Sequence, residues 1–444
     1  MEVKVVKFGG TSLADAGQFG KVKEIVMADA ARKIVVVSAP GKRSREDEKV
    51  TDLLLKCYQT ASIGGNYHRI LEQIEKRFAD IVEQLGLAFP LKEEIKRVEK
   101  HLMVGCSEDY IASRGEYLNG KIMAEYLGFH FLDAKDCVLI RDGKCMLEAS
   151  VEKIRQAYKE WEYLVIPGFY GTDEDGEVTT FARGGSDITG SIAARAVDAG
   201  LYENWTDVSG IYAVDPHITE NPIRIKALSY RELRELSYMG AGVFHEDAVM
   251  PVQQANIPIF IGNTNAPNEG GTMIVPEFGT EDDRIITGIA GKRGFSAILI
   301  EKVLMNREVG FGKKVLEILE KYHLAFEHLP TGIDAISVVL SAKELEPVKE
   351  KVIEEIERAV EPDLIKIEEH QAMIAVVGRK NFYEEGIAVR IIQAAAREGI
   401  KINMMDQSFN GISMILGVAE QDCEKGIRAI YREFEGMKQE NEEI

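Results

Sequence analysis

Positive charge, cysteine and long apolar runs are all scarce in this chain. It carries 54 Lys and Arg against 73 Asp and Glu, a formal net charge of −19, so its surface as a whole repels polyanions. That excludes nucleic acid and anionic membrane as bulk partners. The five cysteines, Cys57, Cys106, Cys137, Cys145 and Cys423, are odd in number and never form a CxxC pair. They exclude a disulfide framework or a zinc site and read as reduced thiols. The eight histidines contain no HExxH arrangement, so no metal site is expected from them. No segment supplies the roughly 18 uninterrupted apolar residues of a spanning helix. The start, Met1-Glu2-Val3-Lys4-Val5-Val6, lacks the apolar region of a secretory leader, and the expected location is the cytoplasm.

What is present is ample core material: 45% of the 444 residues are hydrophobic and 29% charged, which excludes disordered, collagenous and fibrous classes. Cores stop growing near about 250 to 300 residues, so two or three domains are expected. From Val3 to about Val275, short apolar runs (Val3 to Phe8, Lys33 to Ser38, Tyr163 to Pro167, Pro258 to Gly262) alternate with amphipathic stretches such as Leu53 to Ser62, Tyr67 to Leu85 and Gly115 to Leu127. Near-continuous apolar strands separated by helices predict an α/β domain with a mostly parallel sheet covered on both faces.

After the polar stretch Glu277 to Asp283 the chain repeats itself: Gly310 and Gly386, Leu324 and Ile400, and Ser337 and Ser413 are each 76 residues apart. An ungapped repeat of this length marks two copies of one unit, read as ferredoxin-like βαββαβ. The first copy continues into a last strand, Asp363 to Glu368, whereas the second ends in a polar tail. The missing strand is expected from Arg284 to Ile289, ahead of the first copy. The expected boundaries are 1–283 for the large domain, 296–369 for the first repeat and 370–444 for the second, completed from 284–295.

Three stretches carry anion chemistry. Lys7-Phe8-Gly9-Gly10-Thr11-Ser12 stands where a strand ends, with two glycines for close backbone approach and a lysine for charge. It lacks a Walker sequence, and alone it is equally an ordinary tight turn. Arg183-Gly184-Gly185-Ser186-Asp187 opens a helix; Arg183 suits a carboxylate, and Asp187 suits either a lysine partner or an N-cap. Two Gly-Gly cradles, one with Lys and one with Arg and Asp, fit a phosphoryl group passing between two anionic substrates. The third stretch, Asn204 to Pro216, suits a purine and ribose, or is a plain loop. Ser113-Arg114-Gly115-Glu116 is read as a helix opening, with Glu116 in its first turn aimed at a substrate ammonium or serving the helix dipole. Gly310-Phe311-Gly312-Lys313-Lys314 resembles a phosphate loop only superficially.

Together the segments Lys7 to Ser12, Ser113 to Glu116, Arg183 to Asp187 and Trp205 to Tyr212 resemble the aspartokinase family, in order and spacing, across essentially the whole chain. The resemblance implies the amino-acid kinase fold, a three-layer αβα sandwich on an eight-stranded, mainly parallel sheet, followed by two ACT domains that bind amino-acid effectors. It implies transfer of the ATP γ-phosphoryl group to L-aspartate, with Mg²⁺ held mainly by the ATP phosphates, giving 4-phospho-L-aspartate for lysine, threonine and methionine synthesis. By matching motif, Lys7 with Gly9 and Gly10 stabilises the moving phosphoryl group and Asp187 orders the cations. Ser38, Thr51 and Ser186 lie on the substrate side, Glu116 takes the aspartate ammonium, and Arg183 its α-carboxylate. Thr206, Asp207, Tyr212 and Asp215 line the nucleotide pocket.

Two positions depart from the family pattern, because Gly242 and His217 stand where cations are usual. The runner-up readings are a related carboxylate or carbamate kinase and a catalytically silent amino-acid sensor. Repeat and resemblance together put an effector, lysine first and threonine next, in the first ACT unit. Its residues are Met305, Asn306, Val309, Gly310, Phe326, Glu327, Thr331, Gly332 and Asp334. Glu327 or Asp334 would pair with the ligand ammonium, since the second unit has Asn403 and Asn410 at the matching positions. That second unit is expected to serve a homodimer interface.

Overall fold

Strand β1 (Lys4–Phe8) and strand β2 (Arg32–Val37) are apolar on both faces, and Val5, Val6, Phe8 and Ile34 through Val37 are completely buried. Such strands belong at the centre of a sheet covered on both sides. They do so here, joined by β3 (His130–Phe131), β4 (Leu164–Pro167), β5 (Leu201–Thr206), β6 (Ala227–Ser229), β7 (Ile259–Asn263) and β8 (Gly271–Val275). The order is β6-β8-β7-β5-β1-β2-β4-β3, parallel throughout except for the β7/β8 pair. The computed structural model describes residues 2–182, 184–240, 246–276, 285–378, 386–407 and 412–435, with backbone alone at 246 and 247. The expected linker Glu277 to Asp283 lies outside the described residues.

Three helices position the residues at one end of this sheet. In α1 (Ala16–Met27) the Asp15 side chain caps the start by accepting from the Gln18 N–H. The next, α2 (Glu108–Leu127), has 13 buried residues and is capped by Ser107, with Glu108 and Asp109 in its first turn. The third, α3 (Gly185–Ala196), starts from Gly184, whose φ of 61° is a left-handed value that glycine adopts without strain. Phe8 is level with Val37 on one side and Trp205 on the other, so the chain leaves β1, β2 and β5 at one rim. In parallel α/β sheets that carboxyl rim is where ligands bind.

The repeated part forms a six-stranded sheet around two long antiparallel strands, β9 (Ile286–Glu301) and β12 (Leu364–Gly378). With β10 (Phe326–His328), β11 (Ala335–Ser341), β13 (Ile402–Asp406) and β14 (Ser413–Ala419), the order is β10-β11-β9-β12-β14-β13. The first half of β9, Ile286 to Arg293, pairs with Ala372 to Gly378 of β12, beside β14. The second half, Phe295 to Glu301, pairs with β11 and the start of β12. One strand therefore serves both copies, and the register slips near Gly294, where φ is 86°. Each copy packs its own core. Ile298, Val315, Val338 and Ile356 lie in one; Ile374, Ile391, Leu416 and Ile427 lie in the other. Gly310 and Gly386 open equivalent helices with φ of 89° and 94°, the conformation that explains glycine at both repeat positions.

The chain divides into two compact units. One comprises Met1–Ile211, Arg224–Leu233 and Gly242–Gly279, and the other Tyr212–Ile223, Arg234–Ala241 and Thr280–Ile444. The segments 212–223 and 234–241 thus join the second unit, although sequence order puts them inside 1–283. Hydrogen bonds hold them there: Ile289 N–H to Ala213 C=O (2.7 Å), Ile223 N–H to Tyr431 Oη (3.0 Å) and Ser413 Oγ to Glu235 (2.9 Å).

Candidate active site

Parallel pairing sets Lys7 of β1 beside Asn204 of β5, one residue from the ligand-binding rim. The Lys7 Nζ lies 2.6 Å from Asp187 Oδ1 and donates to Asn204 Oδ1 at 3.3 Å. Asn204 Nδ2 in turn donates to Asp187 Oδ1 at 3.0 Å. Lys7 is only 7% exposed, so the triangle is rigid and its ammonium is fixed at the rim. Asp187 is the third residue of α3 and serves as the lysine partner rather than as the helix cap, which Gly184 supplies. In the sequence Asn204 reads only as the start of a stretch suited to a purine and ribose; its link to Lys7 and Asp187 appears once β5 pairs with β1.

The expected pair of glycine donors is corrected to one. Gly9 N–H is committed to the Trp205 carbonyl at 3.0 Å, continuing the β1/β5 ladder, so of the two expected donors only Gly10 stays a candidate. Gly10 is where close approach is decisive. A Cβ there would stand 2.9 Å from the Ala39 carbonyl, and one on Gly41 would stand 2.6 Å from the Gly10 carbonyl carbon. The loops after β1 and β2 touch backbone to backbone, joined by Gly41 N–H to Gly10 C=O at 2.7 Å. Buried Arg77 holds the second loop by donating to the Gly41 carbonyl at 2.7 Å and to Asp47 at 2.7 Å.

Glu116 lies in the interior of α2 and not in a first turn, because the helix begins eight residues earlier at Glu108, after the Ser107 cap. Its neighbour Gly115 lets α2 press against the end of β2, since a Cβ there would meet Ala39 Cβ at 2.7 Å. Glu116 is 5% exposed and its Oε2 has no partner. Burial pushes its carboxyl up to about 8, against the opposing pull of the Ala39 N–H. Arg114 turns the other way, stacked on Tyr110, Tyr117 and Tyr170 at 4.3, 4.5 and 5.4 Å. Asn119, one turn beyond Glu116 and fully buried, donates to the Ser38 carbonyl at 2.7 Å. Ser38 closes β2, with its N–H on the Phe8 carbonyl at 3.2 Å. Thr51 is the second residue of the helix Val50–Ser62, and Ser186 sits in the first turn of α3. Arg183 lies outside the described residues.

Thr206 and Asp207 follow β5, with Thr206 Oγ1 donating to Asp207 at 3.1 Å. Tyr212 and Asp215 belong to the second unit. There Asp215 Oδ1 meets both the His217 N–H and the His217 ring at 2.8 Å. His217 is thus turned back on its own loop. Gly242 and the segment to His245 lie outside the described residues, as does Asn410. Among the described residues no group of three His, Cys, Asp or Glu side chains could hold a metal, and no helix is long and apolar enough to cross a membrane.

In the second unit a cavity of about 310 Å³ is lined by Glu301, Lys302, Val303, Gly332, Ile333, Asp334, Ala335 and Asp363. Asp334 Oδ1 accepts from the Leu304 N–H at 2.8 Å, and Asn306 N–H reaches the Ile333 carbonyl at 3.1 Å. Met305 is buried beneath, Thr331 bridges to Ile336, and Val309 is wholly exposed. Glu327 is elsewhere: it accepts from Tyr238 and lies 3.6 Å from Lys292, while its neighbour Phe326 is half exposed.

A mainly parallel sheet with a Lys–Asp pair at its carboxyl rim, in a chain that also carries a duplicated βαββαβ module, is an arrangement suited to phosphoryl transfer. The amino acid kinase family matches residues 2–263, and the ACT domain matches residues 374–434. Aspartokinase 3 of Bacillus subtilis is 40% identical over 97% of this chain and 98% of its own length. The crystal structure of aspartate kinase from Clostridium acetobutylicum is 45% identical, covers 98% of this chain and 100% of that one, and superposes with a TM-score of 0.86. The lysine-sensitive aspartokinase 3 of Escherichia coli is 24% identical over 97% of this chain and 98% of its own. The chain belongs to the aspartokinase branch of the amino acid kinase family. It is an ATP-dependent kinase.

Proposed function

We propose that Lys7, held by Asp187 and Asn204, stabilises the γ-phosphoryl group as an oxygen of the aspartate side chain attacks phosphorus. The bond to the bridging oxygen breaks and ADP leaves. The observation that carries this assignment is the 2.6 Å Lys7–Asp187 pair at the rim of the sheet. The attacking carboxylate is already ionised at neutral pH, so no general base is needed and positioning with electrostatics supplies the rate. Gly10 adds a backbone donor, Thr206 and Asp207 face the nucleotide, and Mg²⁺ brought in with ATP would neutralise phosphate charge. Ser38, Thr51, Ser186 and Arg183 hold the aspartate carboxylates, and Glu116 takes the ammonium. These reactants and products suit the cytoplasm.

Glu116 gives this reading a pH signature. A carboxyl titrating near 8 is mostly protonated at pH 7 in the free site, and the substrate ammonium binds only its ionised form. The KM for aspartate should therefore fall as pH rises, by about fivefold between pH 7 and pH 8, and level off above. Glu116→Gln should raise KM and flatten that profile. A wild-type KM that stays constant from pH 6.5 to 9 would remove Glu116 from contact with the ammonium.

The effector reading rests on the cavity beside Asp334. Lysine, the ligand in the name of the Escherichia coli relative, is the first choice, with Asp334 facing its ammonium and threonine as the alternative. Calorimetry should show lysine binding weakened about tenfold or more by Asp334→Ala and changed little by Glu327→Ala, whose carboxylate is engaged by Tyr238 and Lys292. The opposite ranking would return the role to Glu327, and heat with threonine alone would change the effector. The homodimer contact is assigned to the second repeat, where Val389 and Met405 are exposed.

A further inference from the structure

The peptide unit joining Ser38 to Ala39 is held by one face of α2. Its carbonyl accepts from Asn119 Nδ2 at 2.7 Å, and its N–H pulls the Glu116 carboxyl down against the effect of burial. Residues three apart on a helix stand one above the other. The glycine at 115 makes this possible, because α2 approaches Ala39 to within a distance no Cβ tolerates.

Both side chains keep an open acceptor oxygen. Glu116 Oε2 and Asn119 Oδ1 are buried acceptors without a hydrogen-bond partner, on residues 5% and 0% exposed. The donation to a carbonyl fixes which end of the Asn119 amide is nitrogen. Two buried acceptors left open one helical turn apart are costly unless a donor-only group arrives to fill them. An ammonium is such a group, with three N–H donors and no acceptor.

We propose that Asn119 is a specificity-determining residue for the amino-acid substrate, its Oδ1 acting beside Glu116 as the second acceptor for the substrate ammonium. This rests on the placement of that ammonium at Glu116. Asn119 has two jobs in one amide. Its nitrogen fixes the Ser38–Ala39 peptide, and through it the loop that touches Gly10; its oxygen reads the α-amino group. The pair selects a primary ammonium over a dicarboxylate of the same length that lacks one.

The test compares L-aspartate, through its kcat/KM, with succinate, through its competitive inhibition constant against aspartate. Succinate keeps both carboxylates and loses the ammonium. The variants are Asn119→Leu, nearly isosteric, and Asn119→Ser in case the first does not fold; the KM for ATP reports an intact fold. Kcat/KM for aspartate should fall about tenfold or more while the succinate constant changes less than about threefold, so discrimination between the two narrows. A residue acting only through packing moves both together. Equal losses for aspartate and succinate, or no loss for either, overturn the proposal. Glu116→Gln separates the failures: if it also leaves discrimination unchanged, the ammonium lies elsewhere, and if it alone narrows discrimination, only the role of Asn119 falls.

Discussion

Lys7→Ala should lower kcat by about a thousandfold or more, with a much smaller change in the KM for aspartate. The side chain is buried and held at 2.6 Å by Asp187, so its charge is fixed before substrate arrives and needs no reorganisation during transfer. Its removal does double damage. It deletes the cation at the moving phosphoryl group, and it leaves Asp187 with only Asn204 to offset a charge that then faces the triphosphate. The second effect is removable, so Lys7→Ala combined with Asp187→Asn should lose less than the sum of the two single losses. Lys7→Arg should not rescue. A planar guanidinium does not fit a site built for a compact ammonium held at 2.6 Å by Asp187. Steady-state ADP release from the four variants decides the matter, and additive losses would mean that Lys7 and Asp187 act apart.

The second large effect is expected from one methyl group. Gly41→Ala places a Cβ 2.6 Å from the Gly10 carbonyl carbon and 2.7 Å from the Thr11 nitrogen. All the clashing atoms are backbone, so no rotamer relieves the overlap. The loop cannot retreat freely either, since Arg77 holds the Gly41 carbonyl from the other side. The turn after β1 must open, moving Gly10 off its position and loosening the Ser38–Ala39 segment with it. We expect destabilisation of about 2 to 3 kcal/mol and a fall in kcat/KM of about a hundredfold for both substrates. Gly20→Ala is the matched control. Gly20 lies inside α1, where an added Cβ meets nothing within 4 Å, so the change should be neutral or stabilise by up to about 1 kcal/mol. Thermal unfolding and kinetics on the two variants separate the local clash from any general intolerance of glycine loss.

The parts of this molecule legible in the sequence are those governed by short-range rules. Apolar strands, the Gly-Gly turns and the 76-residue repeat each have a local signature, and the repeat's unequal ends point to the strand before Ile298. Other features depend on partners distant in sequence. Asn204 acquires meaning only when β5 pairs with β1, and Asn119 only when α2 reaches the end of β2. The start of α2 was readable in principle, since Ser107-Glu108-Asp109 is a capping signal, yet the motif around Glu116 draws the eye to a later start. Gly9 looks equivalent to Gly10 until the ladder claims its N–H. The joining of 212–223 and 234–241 to the second unit has no signature along the chain, because it is decided by hydrogen bonds to residues some 70 to 210 positions away.

The most direct test of the proposed chemistry is coupled ADP release by the wild-type protein with MgATP and a panel of carboxylates. Turnover with L-aspartate, well above that with L-glutamate or succinate and lowered by lysine, is the predicted result. No turnover with any of them, or preference for an acid without an α-ammonium, would contradict it.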